Sequence, residues 1–381
     1  MVESVMVVFP WDLMDEGIES VLDRLQGEVG VSGIDTWVGC PAVTRIRPRN
    51  VFPRVIRNSG GLYFAPTETH YAATRCKPVL AEGLKGQDVL RRAMEACQER
   101  GLKLRAVVST SRTGRLAHRY PEMACKNVFA ARSEQSVCLS NPDVQAYLEG
   151  LVRDLSSHDS LAGIVLADVC TAWADAYTEE WSDLPNISTD FRHLLAICFC
   201  ESCLQKANAV GVDASNAMGA AQEIMDRALE KPSQLSGFKS EELSEDHPIR
   251  SFQRWQEREL NGVLRRLQEA TEFPITLLDP SDPHAVHWPM RPRFNCDALS
   301  SVLRPIERDT DSKPMTDDRS IATEILFPAC WLLIVPSEQI VKTVEDQAQR
   351  KIQRIVFDHY GALTEDVLTN IRRGIRFAKR G

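Results

Sequence analysis

The segment Leu161-Ala-Gly-Ile-Val-Leu-Ala-Asp168 (LAGIVLAD) decides how the rest of the chain is read. Ile164, Val165 and Leu166 follow one another with no polar residue among them, the pattern of a strand buried on both faces. Upstream, Asn141-Pro142-Asp143 opens a stretch that carries Val144, Tyr147, Leu148, Leu151, Val152 and Leu155 on one helical stripe, and the Asn-Pro pair is a helix start. A helix feeding a buried strand that ends on a carboxylate is one step of a parallel α/β fold. In such folds the chemistry gathers at the carboxyl ends of the strands, which makes Asp168 the first candidate functional residue.

The same grammar recurs along the chain. Strands are expected at residues 5–9, 31–38, 102–109, 274–279, 302–306, 331–335 and 354–357, with amphipathic helical stretches between most of them. Gly101 is expected to cap the helix that ends at Arg100. About eight alternating strand–helix steps predict a single (β/α)8 TIM barrel over residues 1–381. Two long βα loops, 41–78 and 110–140, read as irregular, and a Cys-containing helical insertion or lid is expected over 170–248, after the fourth strand. A doubly wound open sheet is the competing architecture, but no Gly-x-Gly-x-x-Gly turn follows the first strand.

A chain of 381 residues, 43% of them hydrophobic, can bury a full core. Its formal net charge of -8 gives no reason to expect a nucleic-acid or anionic-membrane partner. No apolar run approaches the roughly 20 residues that span a bilayer. The first residues carry neither a basic region nor a small-residue cleavage site. Eleven cysteines without a disulfide-like spacing fit a reduced, cytoplasmic protein.

Candidate chemistry falls into three groups. Asp168, Asp279 and Asp358 end strands, and Asp12 stands at the mouth of the first. In a barrel all four face one end, where two carboxyl groups about 5 to 9 Å apart can cleave a glycosidic bond. An aspartate after a strand also serves simply as a cap for the next helix or turn. Trp11, Glu68, His70, Trp173, His287 and Tyr360 are expected to line the cleft, with Tyr177 and Trp181 as further stacking aromatics or packing of the insertion. The run Cys198-x-Cys200-x-x-Cys203 suggests a structural soft-metal site such as zinc, lacking one ligand that Cys170 or Cys138 would supply; three inert buried thiols are the plainer alternative. His284 and His287 with Asp279 form a third set, suited to a catalytic metal or to hydrogen bonding in a substrate loop.

Pro10-Trp11-Asp12, the step Cys138-Leu-Ser-Asn141-Pro142 into the strand ending at Asp168, the run Cys198-Phe-Cys-Glu-Ser-Cys203 and Phe357-Asp-His-Tyr360-Gly361 together resemble glycoside-hydrolase-like TIM-barrel proteins, many of them uncharacterised bacterial proteins. The cysteine run also resembles the zinc cluster of family 42 β-galactosidases, which implies a structural zinc on Cys198, Cys200 and Cys203. Those enzymes carry Asn-Glu where this chain has Ala167-Asp168, and no Glu ends the expected seventh strand, so their glutamate pair does not transfer. An Asp at the fourth strand instead resembles α-glycosidase barrels, which implies Asp168 as nucleophile and makes Asp279 the first choice for acid/base. Two other readings use the same barrel: a metal-dependent sugar isomerase or epimerase on His284, His287, Asp279 and Glu324, and a non-catalytic carbohydrate-binding barrel.

Overall fold

Eight parallel strands close into a ring: β1 (Glu3–Val8), β2 (Gly33–Cys40), β3 (Lys103–Ser109), β4 (Gly163–Ala167), β5 (Ile275–Leu278), β6 (Ser301–Pro305), β7 (Ala322–Pro328) and β8 (Arg354–Asp358). Each pairs with the next in sequence, and β8 returns to β1 with Val5 opposite Val356. The computed structural model describes residues 2–50, 53–84, 87–178, 187–230, 243–278, 301–305, 322–350 and 352–379. Closure of the ring removes the open-sheet alternative.

Alternation along each strand sorts the core into two layers. Met6, Val8, Ile164, Leu166, Ile355 and Phe357 face outward, into the apolar layer between strands and helices. Val5, Val7, Leu303, Leu326 and Val356 face the bore, and Val107, Val165 and Ala167 form a smaller cluster there. The outer helices begin where local chemistry starts them. Asn141 accepts from the backbone N–H groups of Asp143 (2.9 Å) and Val144 (3.3 Å), with Pro142 in the first turn of helix Pro142–Ser156. Helix Val89–Arg100 ends on Gly101, whose φ of 65° is the left-handed conformation that glycine tolerates.

The amino-terminal end of the bore is polar, a feature the apolar strand pattern did not foretell. Arg105 on β3 donates in a fork to Asp35 on β2 (2.8 and 2.7 Å) and also reaches Glu324 on β7 (2.9 Å) and Thr276 on β5 (3.0 Å). Ser301 and Arg354 also donate to Glu324, and Arg354 continues to Glu3 on β1.

Three expectations change. The seventh strand is Ala322–Pro328, and residues 331–335 are not a strand: Trp331 and Leu332 belong to a short helix, Ala329–Leu332, with Trp331 packed edge-on against Phe327. Periodicity cannot separate a short apolar run from a helical turn, and Glu324 inside the true strand disguised it. Residues 41–78 hold a hairpin (Val43–Ile46 with Val55–Asn58), a short strand (Gly61–Leu62) and a 3-10 turn (Glu68–Tyr71). Residues 110–140 hold helix Gly114–Arg119 and a second hairpin, Ala124–Lys126 with Arg132–Val137.

A second apolar cluster stands apart from the one around the barrel. Helices Thr189–Ala196, Glu201–Ala209 and Ala214–Glu230 build it with the first turns of helix Pro248–Glu269, where Phe252 stacks on Phe199 at 4.9 Å.

Removing Arg105 leaves the carboxylates of Asp35 and Glu324 buried without their shared cation. Arg105→Leu is expected to lower the unfolding free energy by about 3–5 kcal/mol, read from the urea midpoint. An unchanged midpoint would show that the network carries no stability.

Candidate active site

A cavity of about 420 Å³ opens at the carboxyl ends of the strands and reaches down into the bore. Asp168 stands on its wall together with Arg112, Asp358, His359, Phe9 and Trp37. By strand alternation Asp168 would point outward with Ile164 and Leu166. Instead its φ is 55°, a left-handed conformation that costs a non-glycine residue about 1–2 kcal/mol, and the carboxylate turns back towards the bore. Three consecutive hydroxyls at the end of β3 hold it there. Ser109 Oγ donates to Asp168 Oδ2 at 2.5 Å, while Thr110 Oγ1 (2.8 Å) and Ser111 Oγ (2.6 Å) donate to its backbone carbonyl. Arg112 brings a guanidinium to 4.0 Å from Oδ1, and its Nε is buried with no hydrogen-bond partner among the described residues. Sequence patterns do not single out Arg112 or the Ser109-Thr110-Ser111 clamp, whose sole signal is three hydroxyl residues in a row after an apolar strand.

Asp358 faces the bore in phase with Arg354 and Val356 and lines the cavity, as its place at a strand end suggested. Asp279, His284, His287 and Trp181 lie outside the described residues. Several other expected cleft residues are elsewhere. Glu68 and His70 form a turn strapped to the outside of helix Pro142–Ser156, because the Tyr71 hydroxyl and the Thr67 N–H both donate to Asp154 at 3.0 Å. Trp173 is buried in the second apolar cluster, its backbone N–H donating to Ala196 O at 2.8 Å. Tyr360 is buried with its hydroxyl on Glu16 (2.7 Å) and the Arg49 guanidinium 3.9 Å over its ring. Trp11 stacks behind Phe9 at 4.4 Å, and Phe9 in turn stacks on Trp37, so the cavity's aromatic wall is Phe9 and Trp37 rather than Trp11. Glu324, a ligand in the isomerase reading, is tied into the ion network at the opposite end of the bore.

Comparison with solved structures places this barrel among known ones. It matches the glycoside hydrolase domain of PgaB (BpsB) from Bordetella bronchiseptica over 99% of this chain and 98% of that one, with TM-score 0.54 and 9% identity. It also matches α-L-fucosidase isoenzyme 2 from Paenibacillus thiaminolyticus (TM-score 0.52, 12% identity, 99% of this chain, 49% of that). A third match is Gan42B, a GH42 β-galactosidase (TM-score 0.54, 12% identity, 100% and 57%). The chain shares the closed (β/α)8 barrel fold of these proteins. It spans about half the length of the fucosidase, and identities this low speak of fold alone. No protein-family model and no curated protein sequence matches it.

Within this barrel the cysteine run finds a fourth member. The thiol sulfurs of Cys138, Cys198, Cys200 and Cys203 are buried and lie within 4.8 Å of one another. Cys198 and Cys200 precede helix Glu201–Ala209 and Cys203 sits in its first turn; Cys138 follows strand Arg132–Val137, with its N–H donating to Met123 O at 2.8 Å. Cys170, expected among the ligands, is not with them. Its thiol lies against Ser111 Oγ, on the barrel side, where the clamped turn at Asp168 holds it. Thiol hydrogen bonds from Cys125, Cys198, Cys200 and Cys203 hold Cys138 well below the usual thiol range. Burial pushes Cys198 up, yet donors on Cys125, Cys200 and Cys203 bring it down to about 6. Cys200 and Cys203 are pushed the other way, well above the usual thiol range, by their thiol neighbours. Four buried thiols converging within 4.8 Å are a donor set that fits a tetrahedral soft metal.

Asp12 does not face the cavity either. It sits in the first turn of helix Pro10–Glu16, fully buried 3.6 Å from an equally buried Arg47, and a Cβ on Gly361 would meet its Oδ1 at 2.5 Å. Burial pushes its carboxyl up to about 7 against the pull of Arg47. A carboxyl raised in the folded state gives stability that is complete below about pH 4 and is lost as pH rises through about 7. Asp12→Asn does not titrate there. Urea unfolding from pH 4.5 to 7.5 should therefore show the wild-type chain losing about 3 kcal/mol relative to the variant. Parallel pH profiles would place the Asp12 pKa in the ordinary carboxylate range.

Proposed function

We propose that the chain is a glycoside hydrolase, cleaving a glycosidic bond in a carbohydrate substrate with strand-end carboxylates. One observation carries this: Asp168 is held in a strained backbone conformation with its carboxylate on the cavity wall, gripped by Ser109 and faced by Arg112. A carboxylate fixed in this way needs no reorganisation to meet positive charge developing at an anomeric carbon. Asp168 is assigned the nucleophile's role and Asp279 the acid/base role. The latter rests on chain position, since Asp279 follows Leu278, which lines the cavity on β5, the strand beside β4. Asp358 and the free edge of Arg112 are assigned to the sugar hydroxyls, and Phe9 and Trp37 to a ring face.

The four-thiol cluster is assigned a structural zinc held by Cys138, Cys198, Cys200 and Cys203. When bound, the metal would join the hairpin ahead of helix Pro142–Ser156 to the segment ahead of helix Glu201–Ala209; with four protein ligands it leaves no open position for substrate. A reduced, cytoplasmic setting is the one in which such thiols persist.

Two experiments bear on these assignments. In a panel of nitrophenyl glycosides, Asp168→Asn is expected to lower kcat roughly 10³-fold with an unchanged circular dichroism spectrum, and Asp279→Asn to act similarly. Full activity in Asp168→Asn would remove the assignment. By elemental analysis the purified chain should carry one zinc; Cys138→Ser should lose it and melt at lower temperature, while Cys170→Ser keeps it. Zinc retained in Cys138→Ser would return the fourth ligand to another residue.

A further inference from the structure

The part of the cavity that lies inside the barrel has the chemistry of a hydrocarbon site. Its wall is Val7, Val107, Val165, Leu303 and Leu326, one aliphatic side chain from each of five strands. At the floor Asp35 also lines the cavity, with both carboxylate oxygens already engaged by the Arg105 guanidinium and its charge paired there. A sugar ring pressed into this bore would bury hydroxyls without partners, at roughly 1–3 kcal/mol each. Polar side chains that can meet hydroxyls stand at the rim: Asp168, Asp358, His359 and Arg112 at and after the strand ends, with Thr44 and Arg45 on the hairpin beside Ile46.

A second, independent observation continues the aliphatic wall to the surface. Ile46 and Leu333 both line the cavity, yet Ile46 is 65% exposed and Leu333 44%. Val55, directly across the hairpin from Ile46, is 51% exposed, and Ile334, next to Leu333, is 67% exposed. Large aliphatic side chains gathered at the mouth of an aliphatic cavity mark a surface meant to be covered by an apolar ligand.

We propose that the substrate is an amphiphilic glycoside whose aglycone is a hydrocarbon. The hydrocarbon occupies the bore, entering past Ile46 and Leu333, and the sugar stays at the rim beside Asp168. The inference rests on the glycosidase reading for the sugar, but on the bore itself for the hydrocarbon.

Binding of alkyl 1-thioglycosides to the full chain separates the two, because the thio linkage resists hydrolysis. Ethyl, butyl, hexyl and octyl members of a glucose and a galactose series are titrated calorimetrically below their micelle concentrations. Affinity should rise about fourfold per methylene, the equivalent of about 0.8 kcal/mol, until the bore is full. Val165→Thr, which keeps the shape of the side chain and adds a hydroxyl, should flatten that slope, and Ile46→Ser should weaken the octyl members most. Asp168→Asn should leave the slope intact. Affinity independent of chain length, a slope unchanged in Val165→Thr, or octanol binding as tightly as the octyl thioglycosides would each overturn the proposal. A steep slope with no cleavage of the matching O-alkyl glycosides would support the hydrocarbon site and sink the catalytic reading alone.

Discussion

Arg105 is the cation around which the barrel closes. Its guanidinium reaches carboxylates on β2 and β7 and a hydroxyl on β5, so it ties together strands that are not neighbours in the ring. Backbone pairing fixes each strand only to the two beside it. A rigid five-donor fork at the centre adds a cross-brace, and Arg is the side chain with the planar geometry to supply it. Desolvating three charges is expensive, and the arrangement is tolerable because Asp35 takes the guanidinium in a two-bond fork while Glu324 also accepts from Ser301 and Arg354. With the floor closed by these pairs, the aliphatic layer above it is left open from one end only. The cavity therefore has a single polar rim.

Much of this was legible in the sequence. The LAGIVLAD strand, its feeding helix with the Asn141 cap, the closing strand at residues 354–357 and the barrel itself follow from hydrophobic period and cap chemistry, which are local signals. The seventh strand was misplaced because a buried glutamate breaks the apolar run that marks a bore-facing strand, while Trp331 to Val335 imitates one. The two long loops read as irregular because hairpin strands as short as Val43–Ile46, Val-Thr-Arg-Ile, have too few residues to show an apolar run or a clear alternation in sequence.

The site was legible only in part, and for a different reason. Asp168 and Asp358 do stand on the cavity wall, because strand ends are positions that sequence can locate. Glu68, His70, Trp173 and Tyr360 were chosen for their chemistry, yet each is held by a partner far along the chain, such as Asp154 for the Glu68–Tyr71 turn or Glu16 for Tyr360. The cysteine run announced three neighbouring thiols by spacing. The fourth thiol of the cluster lies 65 residues before Cys203, and only the three-dimensional packing of two separate hairpin and helix segments distinguishes Cys138 from Cys170. Residue type and local pattern carry elements and strand ends; pairings across the chain are written in the fold.

The left-handed turn at Asp168 also sets an evolutionary direction. At this backbone angle glycine is the unstrained choice, and it would release both the torsional penalty and the need for the three hydroxyls that grip the turn. Selection for stability alone would thus carry the position away from aspartate. An aspartate here therefore gives up stability that glycine would restore, and what the position supplies in exchange is its carboxylate. In a lineage where the cavity falls out of use, Asp168 should be among the first positions to drift, and Ser109, Thr110 and Ser111 should loosen after it.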